Sequence, residues 1–244
     1  RALDGTDAAQ AECLALIADF LVATHPETHR RDGDTIAIGP AGRRIDLAAE
    51  PPLWTAARLV QEDLCLMRQT PDGWTLAAAA LCFPSSWSLA TKIGRPMAAI
   101  HDPVPHFNGR MGDVVARIFD NLAVGRPLVR LNWSLYDNNA LHRPEPHEGR
   151  KWSFGGTPDP TRIFVRVERQ TLTRLPASGD ILFTIRIHVD PLTALAGADN
   201  APELYLGLRD QLLGLDASML GYKSMSAERD SIVALLESMA AAHS

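Results

Sequence analysis

Cysteine is scarce in this sequence, and long apolar runs are missing from it. The three cysteines, Cys13, Cys65 and Cys82, are scattered over 244 residues, so they cannot supply the full thiolate set of an ordinary iron–sulfur cluster. An odd, dispersed set of thiols fits a reducing compartment. No apolar run approaches the roughly 20 residues that cross a bilayer, and the opening stretch "RALDGTDAAQ" has no apolar signal core. We therefore expect a cytoplasmic protein that does not contact a membrane.

The sequence also lacks the motifs of several common enzyme classes. It has no G-x-G-x-x-G following a strand and no P-loop, which excludes an evident dinucleotide or triphosphate cradle. It has no G-x-S-x-G elbow and none of the common helical zinc motifs. The formal net charge of -5 opposes binding to nucleic acid, because phosphates carry the same sign. This chain is therefore not expected to collect hydride electrons by itself.

Alternating apolar and polar residues predict a sheet, and longer amphipathic stretches predict helices at both ends. Two hairpins are expected, one from "TIAI" and "RRIDL", the other from "EDLCLMRQ" and "GWTLAAAALCFP". Longer strands follow in "PLVRLNWSLYD", "TRIFVRVERQTLTRLP" and "GDILFTIRIHVD", the last two as antiparallel neighbours. Helices are expected from Asp7, in "GDVVARIFDNLAV", from Pro202 to Leu215 and from Ser226 to Met239, with a long loop at 141–160. Residues 1–244 are thus predicted to form a single α+β domain around an antiparallel sheet.

A run of four alanines, Ala77 to Ala80, leaves unusual room beside one of these strands. Both alternating sets of that strand are apolar, so we expect it to be covered on both faces. The small side chains fit two situations. They allow either close packing of a helix or space for a flat ligand.

The stretch "IHDPVPHFNGR", residues 100–110, concentrates histidine and proline. Its prolines favour extended backbone at Asp102 and Val104, so the segment is predicted to be stiff and non-helical. His101 and His106 then lie on roughly opposite sides, which disfavours a metal site built from both. One imidazole held by the stiff segment and presented to a ligand is one interpretation, and a structural or surface histidine is the other.

Alternation in "TRIFVRVERQTLTRLP" places Arg169 in phase with the apolar Ile163, Val165 and Val167. A guanidinium on an apolar face needs a partner, because burying an unpaired charge is unfavourable. An ion pair or a bulge that turns Arg169 outward would satisfy it. An anion-binding role is the alternative, since the forked side chain suits carboxylates and phosphates. Glu168 points the opposite way, and His188 on the next strand is expected to be solvated.

Four longer segments together resemble a known family. They are "LVQEDLCLM", "KIGRPMAAIHDPVPHF", "VRLNWSLYD" and "VRVERQTLTRLPASGDILFTIRIHVDPL", and they are similar to the heme-binding alpha subunit of heme-dependent oxidative N-demethylases. The similarity extends from about Leu59 to Pro191, with weaker agreement outside. The combination of K-x-G, I-H-x-P-V-P, R-x-N-W and R-x-E-R-Q-T-L-x-R-L-P is long and specific, whereas any one of these pieces alone is weak.

The resemblance implies a PAS-like fold that holds heme b and oxidises a secondary amine such as dimethylamine, with O2, to a primary amine and formaldehyde. Electrons would come from reductase or ferredoxin-type partner subunits that carry flavin and a [2Fe–2S] cluster. Because no cysteine has a P450-like context, an imidazole is the expected axial ligand. We choose His101 for the iron, with His106 and His188 as alternatives.

Further site residues follow from this reading. Cationic side chains would neutralise the propionates, an aromatic side chain would contact the cofactor, and a carboxylate or an aromatic face would meet the substrate ammonium. The candidates near the heme are Lys92, Arg95, Arg110, Arg169 and Trp133. Those for the substrate are Glu168, Asp102, Trp133 and Tyr136, and the expected catalytic pair is Glu168 with Arg169.

Two other functions remain open at this point. A non-catalytic PAS-like module that senses heme or a small molecule would share the fold and the ligand site. A subunit that serves mainly as a docking partner in a redox complex would bind no heme at all. A Soret band distinguishes the docking subunit from the other two, and amine-dependent oxygen consumption with a reductase distinguishes the enzyme from the sensor.

Overall fold

The chain alternates helices and strands around two antiparallel sheets, in a computed structural model that describes residues 1–145, 152 and 157–243. The predicted loop 141–160 falls partly outside the described residues. The helices are α1 (Asp7–Thr24), α2 (Pro52–Leu59), α3 (Met97–Ile100), α4 (Gly112–Asn121), α5 (Ala201–Leu213), α6 (Ala217–Tyr222) and α7 (Arg229–Ala242). The strands are β1 (His29–Asp32), β2 (Thr35–Ile38), β3 (Arg43–Asp46), β4 (Glu62–Thr70), β5 (Gly73–Ala80), β6 (Leu128–Tyr136), β7 (Phe164–Arg174) and β8 (Ile181–Pro191).

The main sheet has five antiparallel strands in the order β5-β4-β8-β7-β6. Counted within the sheet, this is the 2-1-5-4-3 order of a PAS-like sheet. Hairpins join β4 to β5 and β7 to β8, as the turn sequences predict. The central contact of β4 with β8 instead joins distant parts of the chain, from Glu62 opposite Arg186 to Met67 opposite Ile181. The predicted α+β class with a PAS-like antiparallel sheet is confirmed.

The two faces of this sheet are covered by different layers. One face, here called the site face, carries Cys65, Met67, Leu172 and Phe183, which pack with side chains from α3, α4 and the segment between them. The other face, here called the back face, is covered in two places. At the β4–β5 end, small and branched side chains pack against α1 and α2. At the β6–β7 end, the back face packs against α5 and α7. Between these two covers, the back face is open.

The run of alanines serves helix packing. Ala78 and Ala80 lie on the back face and are buried in the same apolar cluster as α1 and α2. Ala79 points the other way and joins the cluster on the site face. The absence of larger side chains lets the helices approach the strand closely, which favours close helix packing, one of the two interpretations open from the sequence.

Several short elements were not predicted. The strand β1 and the helices α2 and α6 are only four to eight residues long, so they carry little periodic signal. The helix α4 was predicted, but its apolar stripe is only partly buried, because Val114 and Ile118 are each 39% exposed. Within the described residues, no helix is both long and apolar enough to cross a membrane.

Candidate functional site

His101 is positioned by the end of α3 and by the ring of Phe107. It follows the last residue of that helix, and its Nδ1 lies 2.9 Å from the carbonyl oxygen of Met97. Because a carbonyl can only accept, Nδ1 carries the proton and donates it. The imidazole stacks on the Phe107 ring with centroids 4.1 Å apart and planes 14° apart. The Nε2 atom makes no hydrogen bond within the described residues, so its lone pair is available.

The electrostatic surroundings keep this imidazole neutral. Burial lowers the pKa of His101, the hydrogen bond to Met97 raises it, and the positive charges of Lys92 and Arg130 lower it further. The net shift is downward, so the ring is uncharged at neutral pH. A neutral ring whose Nδ1–H is bonded to a backbone carbonyl is the usual state of a metal-binding histidine.

The proline-rich segment after His101 forms turns. Residues 101–106 are a series of turns and bends, with the backbone N–H of Val104 donating to the carbonyl of His101 at 2.8 Å. The predicted extended geometry is therefore wrong, although the segment is non-helical as expected. Pro103 and Pro105 lie at central positions of the two consecutive turns 101–104 and 104–107. Proline suits such positions because its fixed φ angle is one that turns also use.

His106 is held apart from His101. Its ring is exposed, and its Nε2 lies 3.0 Å from both Asp216 Oδ2 and Ser218 Oγ at the start of α6. His188 is also exposed, as expected. Ile185 and Ile187 of the same strand point to the site face, so His188, one position further along, points to the back face. Of the candidate histidines, only His101 is partly buried with an unengaged ring nitrogen.

The predicted cations near the heme separate into two groups. Lys92 is half-buried, donates to the carbonyl of Ile100 at 2.8 Å and lies 5.5 Å from the centre of the Trp87 ring. Burial lowers its pKa, and its charge acts on His101. Arg95 and Arg110 are exposed. Arg130, a residue that sequence reasoning missed, acts on His101 from the start of β6.

A row of polar side chains lies on the site face of β6 and β7. Asn132 and Gln170 both donate to Oε2 of Glu168, at 3.2 and 2.8 Å. Glu168 lies on the same face of β7 as Leu172, which packs on the site face. The layer that contains His101 covers that same face. Its other oxygen, Oε1, accepts no hydrogen bond within the described ranges. The carboxylate is thus oriented by two amides and has one oxygen available.

Lys223, which follows α6, approaches this row across the edge of β6. Its Nζ donates to the Trp133 carbonyl at 2.9 Å and to Ser134 Oγ at 3.2 Å. Burial lowers the pKa of Lys223, while the charge of Glu168 raises it. The cation and the carboxylate therefore interact electrostatically, although no direct ion pair forms between them in the described part of the chain.

Arg169 is exposed, so the prediction that it lies on a buried apolar face is wrong. It does lie on the same back face as Val165 and Val167, but α5 and α7 do not extend far enough to cover its position. The buried arginine of this strand is Arg166, with 1% exposure. Arg169 and Glu168 consequently lie on opposite faces of the sheet and cannot act together on one substrate.

Arg166 connects the strand to two loops. Its guanidinium donates to Ser85 Oγ and to three backbone carbonyls, all at 2.9 to 3.1 Å; the carbonyls belong to Phe83, Ala140 and Leu141. The nearby Asp63 accepts the backbone N–H groups of Cys82 and Phe83. Burial raises the pKa of Asp63 from 3.8 to about 6, against the lowering effect of those hydrogen bonds and of Arg166.

The aromatic candidates do not join His101. Trp133 packs on the back face against the cluster formed with α5 and α7, away from the cluster that contains Phe107. Tyr136 is buried on the site face, with the guanidinium carbon of Arg143 4.7 Å from its ring centre. Asp102 is exposed and accepts a hydrogen bond from Asn108. Of the predicted set, the structure therefore groups His101 with Lys92 and places Glu168 on the same face.

These residues fit a heme group. His101 offers a neutral imidazole nitrogen, Lys92 and Arg130 offer positive charge close to it, and Phe107 supplies an apolar wall. Within the described residues, no three His, Cys, Asp or Glu side chains gather to hold a bare metal ion. A protein-family model described as "Haem-dependent oxidative N-demethylase, alpha subunit-like" matches residues 1–233.

Proposed function

Because the chain belongs to the "Haem-dependent oxidative N-demethylase, alpha subunit-like" family, we propose that it binds heme b through His101 and demethylates a small secondary amine. The single observation that carries this proposal is the state of His101, a neutral ring with Nδ1–H bonded to a carbonyl and Nε2 unengaged. The proposal treats residues 1–244 as one heme-binding domain in the cytoplasm. It includes Lys92 and Arg130, whose charges act on His101, as the cations that would pair with the propionates, and Arg95 and Arg110 as further exposed candidates for the same role.

The reaction consumes one O2 and two electrons. A methylated secondary amine, O2, two electrons and two protons give a primary amine, formaldehyde and water. The bound heme would supply the activation of O2 and the oxidation of the methyl group. As the resemblance implies, the electrons would come from partner subunits that carry flavin and a [2Fe–2S] cluster. The lack of a nucleotide motif and of cluster cysteines in this sequence agrees with such a division of roles.

Glu168 is the proposed substrate-binding group of this chain. The amine is protonated in water, and a carboxylate on a partly desolvated face attracts an ammonium. Asn132 and Gln170 hold Oε2, so Oε1 is the atom that would accept the ammonium N–H and take its proton. Removing that proton gives the amine nitrogen its lone pair before oxidation. Arg169 is left out of this step because it lies on the opposite face.

Three histidine variants test the heme part of the proposal. We expect His101→Ala to abolish the native ferric Soret spectrum, or to leave a site that added imidazole restores, because the axial nitrogen is lost. His106→Ala and His188→Ala serve as matched controls and should leave the spectrum nearly unchanged, since both rings are exposed elsewhere. The ligand assignment would be overturned if either control lost the Soret spectrum while His101→Ala kept it.

A second experiment separates an enzyme from a sensor. The heme-loaded protein, supplied with a reductase, should consume O2 and release formaldehyde only when a secondary amine is present. Glu168→Gln keeps the size and the hydrogen-bonding oxygen but removes the charge, so it should raise the amine KM while the Soret spectrum stays native. Heme binding without any amine-dependent oxygen consumption would favour the non-catalytic sensor. Turnover by the isolated chain with NADH alone would contradict the multi-subunit reading.

A further inference from the structure

An open groove runs between α4 and β6, on the outside of the layer that contains His101. It encloses about 490 Å³, and the side chains that line it are Val114, Arg117, Ile118, Asn121, Leu122, Ala123, Arg126 and Leu128. Five of these are apolar and two are arginines. No carboxylate is among them, although the whole chain carries a formal charge of -5. The groove is therefore a basic, apolar site on an acidic protein.

Exposed apolar side chains are concentrated around this groove. Thirteen large hydrophobic residues are exposed in the described part of the chain, and five of them lie between Met111 and Leu128. Three of these five, Val114, Ile118 and Leu128, line the groove. Val129 and Leu131 of the edge strand β6 are also exposed, but they alternate with Leu128 and therefore point to the back face, away from the groove. Soluble monomers rarely concentrate apolar surface in this way unless another molecule covers it.

The arginines of the groove are free to meet a partner. Neither Arg117 nor Arg126 forms an ion pair within residues 1–145, 152 and 157–243, and both are exposed. Basic side chains around an apolar centre complement a protein surface that has carboxylates around an apolar side chain.

The groove also lies close to the proposed heme layer. The opposite side of α4 carries Phe119 and Val115, which pack in the cluster that contains Phe107, the ring stacked on His101. One helix therefore separates the groove from that layer, and a helix with its side chains is about 10–12 Å across. A molecule bound in the groove would be near enough to exchange electrons with a heme held by His101.

We infer that the α4–β6 groove is the docking site of an acidic electron-carrying protein with a [2Fe–2S] centre. The inference rests on the proposed function, because only a redox reaction of the heme requires such a partner. In each encounter the reduced cluster would lose one electron and the ferric heme would gain it. A second copy of this chain fits the groove less well, because a two-fold contact would bring like-charged arginines together.

The test uses a plant-type [2Fe–2S] ferredoxin as the acidic probe and begins with binding. Oxidised ferredoxin is titrated against the full chain by calorimetry at low and high salt, and this step needs no heme. Arg117→Glu, Arg126→Glu and Ile118→Glu should each weaken binding by about tenfold at low salt, and the charge reversals should flatten its salt dependence. Arg30→Glu and Leu16→Glu are matched controls, because Arg30 is an exposed arginine on β1 and Leu16 is 39% exposed, as Ile118 is.

The second step measures electron transfer in the heme-loaded protein. Reduced ferredoxin is mixed with the ferric form under carbon monoxide, and the groove variants should slow reduction in proportion to their weakened binding. Reduction by dithionite should be unchanged, which separates a docking defect from a damaged heme site. If the wild-type chain shows no Soret band, the proposed function fails, while the calorimetric result still decides on the groove.

Three results would overturn the docking inference. The first is that ferredoxin does not bind, or that the groove variants and the control variants weaken its binding equally. The second is a dimer, seen by light scattering, that Ile118→Glu dissociates, which would make the groove a contact between copies of this chain. The third is co-sedimentation with phosphatidylserine vesicles that Ile118→Glu abolishes, which would make it a membrane-binding surface.

Discussion

Replacing Arg166 with methionine should strongly destabilise the protein. The side chain is 1% exposed, and it donates hydrogen bonds to Ser85 Oγ and to three backbone carbonyls at 2.9 to 3.1 Å. Methionine fills much of the same volume but donates nothing, so these acceptors lose their partner in a place that water enters poorly. Each acceptor left without a donor costs about 1–3 kcal/mol.

The loops that carry these carbonyls can relax toward water, so the sum is smaller than the separate terms. We expect the free energy of unfolding to fall by about 3–5 kcal/mol, near the lower end of the summed cost of four such acceptors. For a chain of this size that corresponds to a fall in Tm of roughly 6–20 °C. Urea unfolding followed by circular dichroism measures the change, provided the midpoint moves at constant slope.

Arg169→Met is the matched control, because Arg169 lies three positions along the same strand and is exposed. Its free energy of unfolding should change by less than about 0.5 kcal/mol. Equal effects at the two positions, or a loss below about 1 kcal/mol for Arg166→Met, would refute the claim that the buried guanidinium holds the two loops.

Further perturbations test other contacts. Asp63→Asn keeps an oxygen that accepts the two backbone N–H groups but cannot ionise. Because burial raises the pKa of Asp63 in the folded protein to about 6, the free energy of unfolding of the wild type falls as the pH rises from about 4 to 6. The variant should therefore gain up to ~3 kcal/mol relative to the wild type between pH 4 and pH 7 in urea unfolding, and a difference independent of pH would contradict this. Ala78→Leu should lose about 1–3 kcal/mol by overpacking against α1 and α2, whereas Ala123→Leu, at an exposed position, should not. Arg174→Met removes donors to the carbonyls of Phe119 and Leu122 at the end of α4, so hydrogen exchange in that helix should accelerate; unchanged exchange would show that the helix end does not need them.

The long elements of the fold are predictable from the sequence because their periodicity is strong. The strands β7 and β8 alternate over eleven residues each, and the turn "ASG" between them has the chemistry of a hairpin. The order of the strands is a different matter. No local pattern indicates that β4 inserts beside β8, and only the resemblance to a family implied it.

The error at Arg169 has a specific cause. Alternation correctly separates Arg166, Glu168 and Gln170 from Val165, Val167 and Arg169, but it does not say which set is covered along its whole length. The apolar set loses its cover where α5 and α7 end, while the polar set lies under the α3–α4 layer. The available signal was the pairing of polar Asn132 with Glu168 on the neighbouring strand, because polar side chains on a covered face need hydrogen-bond partners.

His101 was predictable as a candidate, but the reason for its position was not. The prolines after it form turns, and the ring is fixed by a carbonyl four residues earlier and by stacking on Phe107. Both contacts depend on where the chain turns, which periodicity does not report. The influence of Arg130 depends on tertiary structure in the same way, since it lies on a strand distant in sequence.

The pairing of β4 with β8 also determines how this protein can be synthesised and folded. Their partners are more than 110 residues apart in the chain, so the centre of the sheet closes only after most of the polypeptide has left the ribosome. Until then, the β4–β5 hairpin presents an unpaired and largely apolar edge. Slow closure and exposed edges promote aggregation. Truncation before Ile181 should therefore yield insoluble protein, whereas loss of residues after 233 would leave every strand of the sheet in place.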